Sequence, residues 1–229
     1  AIDGAEATSA TVIAKSITSA SEIEFTAAAV AVDVATLDAD LKLGTGKNSV
    51  VADTVKIGKT VTRGGDAAFE IKTLDGANID AATSTSAVIN LTGGAKDSKI
   101  DLGTGRNVLN AAGKTLTSVL ITDAADTAET SIVAGSIAGK NDDVKQSAIT
   151  LLGKGEIDVK AAMAYTAVSV DKESTLLAAS VANSTISMGE GGTDAQKIDI
   201  KGNVSDTDMR LGGGADTVSI GGNYSGKKN

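Results

Sequence analysis

Leu102-Gly-Thr-Gly-Arg-Asn107-Val-Leu109 sets an apolar residue, a glycine-rich bend, a small polar segment and a further apolar residue in close succession. The phrase recurs as Leu43-Gly-Thr-Gly-Lys-Asn48-Ser-Val50, Leu91-Thr-Gly-Gly-Ala-Lys-Asp97, Leu152-Gly-Lys-Gly-Glu-Ile-Asp-Val159, Met188-Gly-Glu-Gly-Gly-Thr-Asp194 and Leu211-Gly-Gly-Gly-Ala-Asp216-Thr-Val218. Glycine at such bends supplies positive φ or a close backbone approach, which other residues reach only at a cost. A chain that bends the same way after each short strand coils upon itself. The phrase therefore predicts an all-β protein, a single elongated parallel β-solenoid (β-helix) with short strands and Gly/Asn/Asp turns.

Outward from these phrases, apolar residues alternate. Val30, Val32 and Val34 share one side; after a phase change near Ala35 and Thr36, Leu37, Ala39, Leu41 and Leu43 do likewise. Apolar–x–apolar pairs follow at Val55/Ile57, Phe69/Ile71, Ile89/Leu91, Ile100/Leu102, Ile157/Val159, Val168/Val170, Ile186/Met188, Ile198/Ile200, Met209/Leu211 and Val218/Ile220, with small polar residues between them. Alternation marks strands, and two or three strands of this spacing make a turn of roughly 20–30 residues. Alanine favours helix, but Val, Thr, Gly, Asp and Asn dominate the periodic stretches and no heptad persists.

Residues 1–28 follow neither period and are expected to form an N-terminal cap or docking segment, as a terminal strand or a short helix. The solenoid body is expected over 29–229. A longer echo, Ile89 to Leu102 against Ile186 to Ile200, suggests two related halves, 29–110 and 146–229, joined by a less regular insert.

Composition narrows the function. The chain of 229 residues has no Cys, His, Pro or Trp and is 2% aromatic. Lacking Cys and His, it has no disulfide, no thiol chemistry, no Ser-His-Asp triad and no ordinary zinc site. A core of Ala, Val, Ile, Leu and Thr suits the narrow interior of a coil, and absent Pro suits a backbone whose N–H groups are wanted for ladders. A net charge of −8, with 29 acidic against 21 basic residues, argues against nucleic-acid binding. No apolar run is long enough for a transmembrane segment. The start at Ala1, with no signal peptide, is read as a mature form or an excised segment, and export as an expectation.

Gly103-Thr-Gly105 and Gly212-Gly-Gly214 lack the Lys-Ser/Thr and the following helix of a phosphate cradle. Asp33, Asp38 and Asp40 read as strand-face or turn carboxylates. Asn90-Leu-Thr92 and Asn223-Tyr-Ser225 match the glycosylation sequon, as chance produces in so Ser/Thr-rich a chain.

The phrase at Leu211 resembles the calcium-binding nonapeptide of repeats-in-toxin proteins, G-G-x-G-x-D-x-apolar-x. Asp216 stands on the aspartate, Gly212, Gly214 and Val218 match, and Leu211 replaces the first glycine. The phrases at Leu43 and Leu102 fit the same frame with Asn48 and Asn107 in the aspartate place, and none is in tandem. The resemblance implies calcium held between turns of a β-roll, and calcium needs six to eight oxygens. Asp216, Asp194, Asp97, Asp101 and Asp199 are the candidate calcium ligands. The residues alone also allow plain glycine turns whose Asn or Asp bonds local backbone. No catalytic residue or other cofactor is indicated, and no enzymatic activity is expected.

The Ala/Thr/Ser/Val/Gly/Asp-rich composition resembles that of bacterial surface-layer and filament proteins. It implies an extracellular or cell-surface structural protein: a self-assembling surface-layer or filament subunit, or an adhesin-like passenger segment. The alternative is a calcium-binding repeats-in-toxin-like module of a secreted protein. A β-helix carbohydrate-active enzyme fits less well, because Phe25, Phe69, Tyr165 and Tyr224 are the only aromatics. The stretch 220–229 follows a strand pair with little to form a cap. It is expected to dock on another copy or on the rest of a longer chain.

Overall fold

A computed structural model describes residues 8–18, 22–25, 29–56, 58, 60–141, 146–190 and 192–227. Every regular element among them is a β-strand, and all strands pair in parallel in one sheet that coils through about ten turns. The protein is a parallel β-solenoid. No helix among the described residues is long and apolar enough to cross a membrane.

The register shows how the coil is built. Ala10, Val30, Asn48, Ala67, Ala87, Asn107, Thr130, Gly155, Ser174 and Gln196 are successive partners, 18 to 25 residues apart. Each turn carries three strand segments. In one turn these are 87–91 on a first face, Ala95–Lys96 on a second and Lys99–Asp101 on a third. At the strand spacing of a sheet, about 4.8 Å, the stack is roughly 50 Å long.

Alternation decides which residues enter the core. On the first face one inward column runs Val12, Val32, Val50, Phe69, Ile89, Leu109, Ile132, Ile157, Leu176, Ile198, Val218. From Val32 to Ile198 every member is buried. β-Branched and leucine side chains fit this pleated, closely spaced surface, and each fully buried one contributes about 1.5–3 kcal/mol. The phase change near Ala35 is a real corner: Val34 and Leu37 both point inward. Ile57, expected to pair with Val55, lies outside the described residues.

The N-terminal segment supplies the first turn. Ser9–Thr18 pairs in parallel with Ala29–Asp38, and Phe25 is buried; the remainder of 1–28 that falls at 1–7, 19–21 and 26–28 lies outside the described residues. The expected insert carries ladder strands, Arg106–Thr117, Leu120–Thr122 and Glu129–Ala138. Within that insert, residues 142–145 lie outside the described residues. The echoed stretches occupy different faces. Ile89 and Ile198 share the first-face column, whereas Ile100 and Ile186 belong to the third face.

Two of the three corners have a recurring chemistry. Between the second and third faces the chain turns through a left-handed residue, including Asp97, Ser118, Tyr165, Asn183 and Asp206, with φ between 46° and 50°. An inward hydroxyl commonly follows. Ser98, Thr166, Ser184 and Thr207 each donate to the carbonyl two residues back, at 2.6 to 3.0 Å. Between the third and first faces lie five of the six glycine-rich phrases. There the need is close approach. A Cβ on Gly103 would stand 2.2 Å from the Ser84 carbonyl oxygen of the adjacent turn, and one on Gly105 2.0 Å from that of Thr85.

Gly103→Ala and Gly113→Ala separate these two demands. Gly113 has φ +69° and open space around its Cβ position, so alanine there costs about 1–2 kcal/mol of backbone strain. At Gly103 the ladder itself must shift, with a cost of about 1–3 kcal/mol or more. Urea denaturation is expected to rank Gly103→Ala as the more destabilised; the reverse order would contradict close approach as the reason for glycine.

Candidate functional site

Five of the six phrases lie at the corner between the third and first faces. The sixth, at Leu91, lies between the first and second faces, because Leu91 belongs to the first-face ladder. The phrase at Leu152 is displaced by one residue: Leu151 is buried, whereas Leu152 is exposed.

The position corresponding to the nonapeptide aspartate is a single column, in which Asn48, Asn107, Thr130, Ser174, Gln196 and Asp216 follow the register. From Asn48 to Gln196 these polar side chains are buried. A buried polar group is costly without partners; Thr130 binds the side chains of Asp123 and Asn107, and the others bind backbone. The Asn107 amide donates to the carbonyls of Gly103 at 2.8 Å and Gly105 at 3.1 Å, and its oxygen accepts from Gly103 N–H at 3.1 Å. Asn48 donates to Gly44 and Gly46 at 2.7 and 2.9 Å and accepts from Val30 N–H at 3.0 Å. Ser174 accepts from Gly155 N–H at 2.8 Å, and Asp216 from Gln196 N–H at 2.9 Å. The column caps the bends of its own and the neighbouring turn.

The five calcium candidates lie in different places. Asp216 and Asp194 stand in adjacent glycine loops, where the Asp194 carbonyl accepts from the Gln196 side chain at 3.1 Å. Asp97 is a left-handed corner residue. Asp101 faces outward on the third face, bound to Thr122 at 2.5 Å and Lys99 at 2.6 Å. Asp199 faces outward on the first face, 2.6 Å from Lys201. Among the described residues no three His, Cys, Asp or Glu side chains converge as a metal group.

Asp123, which carries no motif, is the one buried carboxylate among the described residues. It takes a third-face inward place between Leu102 and Leu151, as the pairing of Thr122 with Asp101 and Thr150 requires. Its oxygens accept from Leu152 N–H at 2.7 Å and from the Thr130 hydroxyl at 3.2 Å, and Gly153 N–H also donates. Thr130 in turn accepts from Asn107 at 3.3 Å. Burial raises the Asp123 pKa above the usual aspartate range, with a smaller push from Asp171, against the lowering pull of the three donors.

The outer faces carry charges in alternation along the axis. Arg106, Glu129, Lys154 and Glu173 stack in one column, with Arg106–Glu129 at 3.0 Å and Lys154–Glu173 at 3.1 Å. Asp38, Lys56, Asp75 and Lys96 form another, closed at 3.2 Å between Lys56 and Asp38 and 3.9 Å between Lys96 and Asp75. A cleft beside Arg106, Val108, Glu129 and Glu156 is bordered by the first column.

Val218, in the inward column whose members are buried from Val32 to Ile198, is 44% exposed, and Tyr224 is 53% exposed.

No protein-family model matches this chain, and no curated protein or solved structure matches it significantly.

Two substitutions test the buried network. Asn107→Asp removes the amide donor and places a charge against the Gly103 and Gly105 carbonyls; a loss of about 2 kcal/mol or more is expected, unchanged by added calcium in a melting series. Rescue by calcium would show that the corner is an ion site. Asp123→Asn keeps an acceptor for Leu152 N–H. A carboxyl whose folded pKa lies above its unfolded one gives full stability below the unfolded pKa and loses it as pH rises through the folded pKa. The variant is therefore expected to gain on the native protein from acid to neutral pH in urea titrations. A difference independent of pH would contradict the burial effect.

Proposed function

We propose that this protein is an extracellular structural subunit that assembles with copies of itself into a filament or surface layer. The carrying observation is that Val218 and Tyr224, in columns buried through the interior of the ladder, are exposed in the last described turn, a surface that another copy or the rest of a longer chain would cover. A strand edge with unpaired N–H and C=O groups templates further pairing. A head-to-tail contact between the two ends of one coil is heterologous, so it repeats without closing.

The side walls support the same reading. Some of their charges are paired in place, and a cleft there is bordered by the paired ions Arg106–Glu129. The Cys-free composition is compatible with a cell-surface location, because a chain without thiols is indifferent to the redox state of its compartment.

Light scattering and electron microscopy over a concentration series test this. Elongated or sheet-like assemblies that grow with concentration are the expected result. Monodisperse rods at high concentration, with and without calcium, would overturn it.

A further inference from the structure

The third face carries its charges in an order that is its own complement. Its two outward positions form two columns along the coil. In the turn of Ile100 they hold Lys99 and Asp101; in the turn of Met209 they hold Asp208 and Arg210, so cation and anion have changed places. The four turns between carry no charge at these positions. Leu120, Ala148, Ala167 and Thr185 fill the first column, and hydroxyls from Thr122 to Ser187 fill the second. Every described strand belongs to the coil itself, so none lies over this face, and Leu120 is 37% exposed there. From the adjoining corner Glu190 accepts from the Ser187 hydroxyl at 2.8 Å.

We propose that two copies pair through this face, side by side and antiparallel. The two-fold axis runs along the strands, between the turns of Ile149 and Val168. That rotation keeps each column opposite itself and reverses the order of the turns. It brings Lys99 opposite the partner's Asp208, and Asp101 opposite the partner's Arg210. Each contact is made twice, once from either copy, as an isologous interface requires. Between these ends Ala148 meets the partner's Ala167 and Leu120 meets the partner's Thr185, and such small side chains let the two sheets approach.

The charges select a second copy as the occupant. Lys99 and Asp101 stand 2.6 Å apart, and Asp208 and Arg210 2.9 Å; the rotation lays one pair on the other with opposite signs aligned, so all four charges keep partners as water leaves. Sliding one copy by a single turn, in either direction, leaves charges opposite Thr185 or Leu120. A two-fold along the coil axis also matches Lys99 with the partner's Asp101, but it sets Glu22 against the partner's Glu24. Six turns at about 4.8 Å, by a strand about 15 Å wide, give a patch of about 400 Å² per copy. That is about half the area each partner buries in a stable complex, so the pair is reversible and of low affinity. This contact goes beyond the end-to-end growth proposed above and does not need it, because it uses a wall of the coil and closes at two copies.

Sedimentation of the full chain over a concentration series, at low and high salt, reads the pairing. The expected species is a reversible dimer, weakened several-fold by salt. Ala148→Arg, which sets a charge at the centre of the contact, should weaken it about tenfold or more. Lys99→Glu and Asp208→Lys should each weaken it several-fold, and Lys99→Glu/Asp208→Lys should return it to within about twofold of the native chain. Under a two-fold along the coil axis that double variant sets like charges together at both ends and pairs worst of all. Circular dichroism of each variant checks that the coil is intact. Where longer assemblies form, Ala148→Arg is expected to leave single filaments in electron micrographs where the native chain gives paired ones. A dimer that the double variant fails to restore overturns the arrangement. Assemblies that Ala148→Arg leaves unchanged overturn the wall contact and leave end-to-end growth standing. Dimers with no larger species support the wall contact and overturn that growth; a chain that stays monomeric throughout overturns both.

Discussion

The hydrogen-bonded ladder between successive turns governs the rest of this structure. Parallel pairing fixes the distance between turns at about 4.8 Å, so every side chain has near-copies of its own position directly above and below. A residue is therefore selected for compatibility with a column. Apolar residues satisfy this on the inward side. Polar residues satisfy it where the backbone bends and leaves N–H and C=O groups that the ladder does not use.

The glycine corner shows both demands together. Gly103 and Gly105 permit the backbone to run within contact of the turn beside it, and the tight bend they make presents their own carbonyls to Asn107, which binds both. Glycine and asparagine are thus one device. Asp123 extends it across turns, because its carboxylate receives the N–H of Leu152 from the following turn and the hydroxyl of Thr130. A carboxylate in a core column is tolerated because three donors converge on it.

Much of the fold was legible because period-two alternation is local: the inward residues at Val30 to Leu43 are readable from their own neighbours. Position around the coil is less readable. The phrase at Leu91 resembles the others, yet it serves another corner, since a glycine-rich bend does not declare which faces it joins. The matching stretches near Ile89 and Ile186 mislead for the same reason: any inward–outward–inward strand followed by a turn resembles any other. At the candidate site, Asn48, Asn107 and Asp216 were visible through their shared frame, whereas Thr130, Ser174 and Gln196 became members of the column only through register. Asp123 had a faint signal, Ile121-Thr-Asp123 standing where the neighbouring turn has Ile100-Asp-Leu102.

A coil of near-identical turns faces a difficulty that a globular core does not, because a turn can pair with the wrong neighbour at little cost. The outward charges address it. In the columns Asp38, Lys56, Asp75, Lys96 and Arg106, Glu129, Lys154, Glu173, pairing a turn with its next-but-one neighbour sets like charges together at that junction. Each exposed pair is worth little by itself, about 0–1 kcal/mol, but a skipped turn replaces an attraction by a repulsion in the column it crosses. The apolar columns therefore supply stability without distinguishing one turn from the next, and the alternating charges supply the distinction.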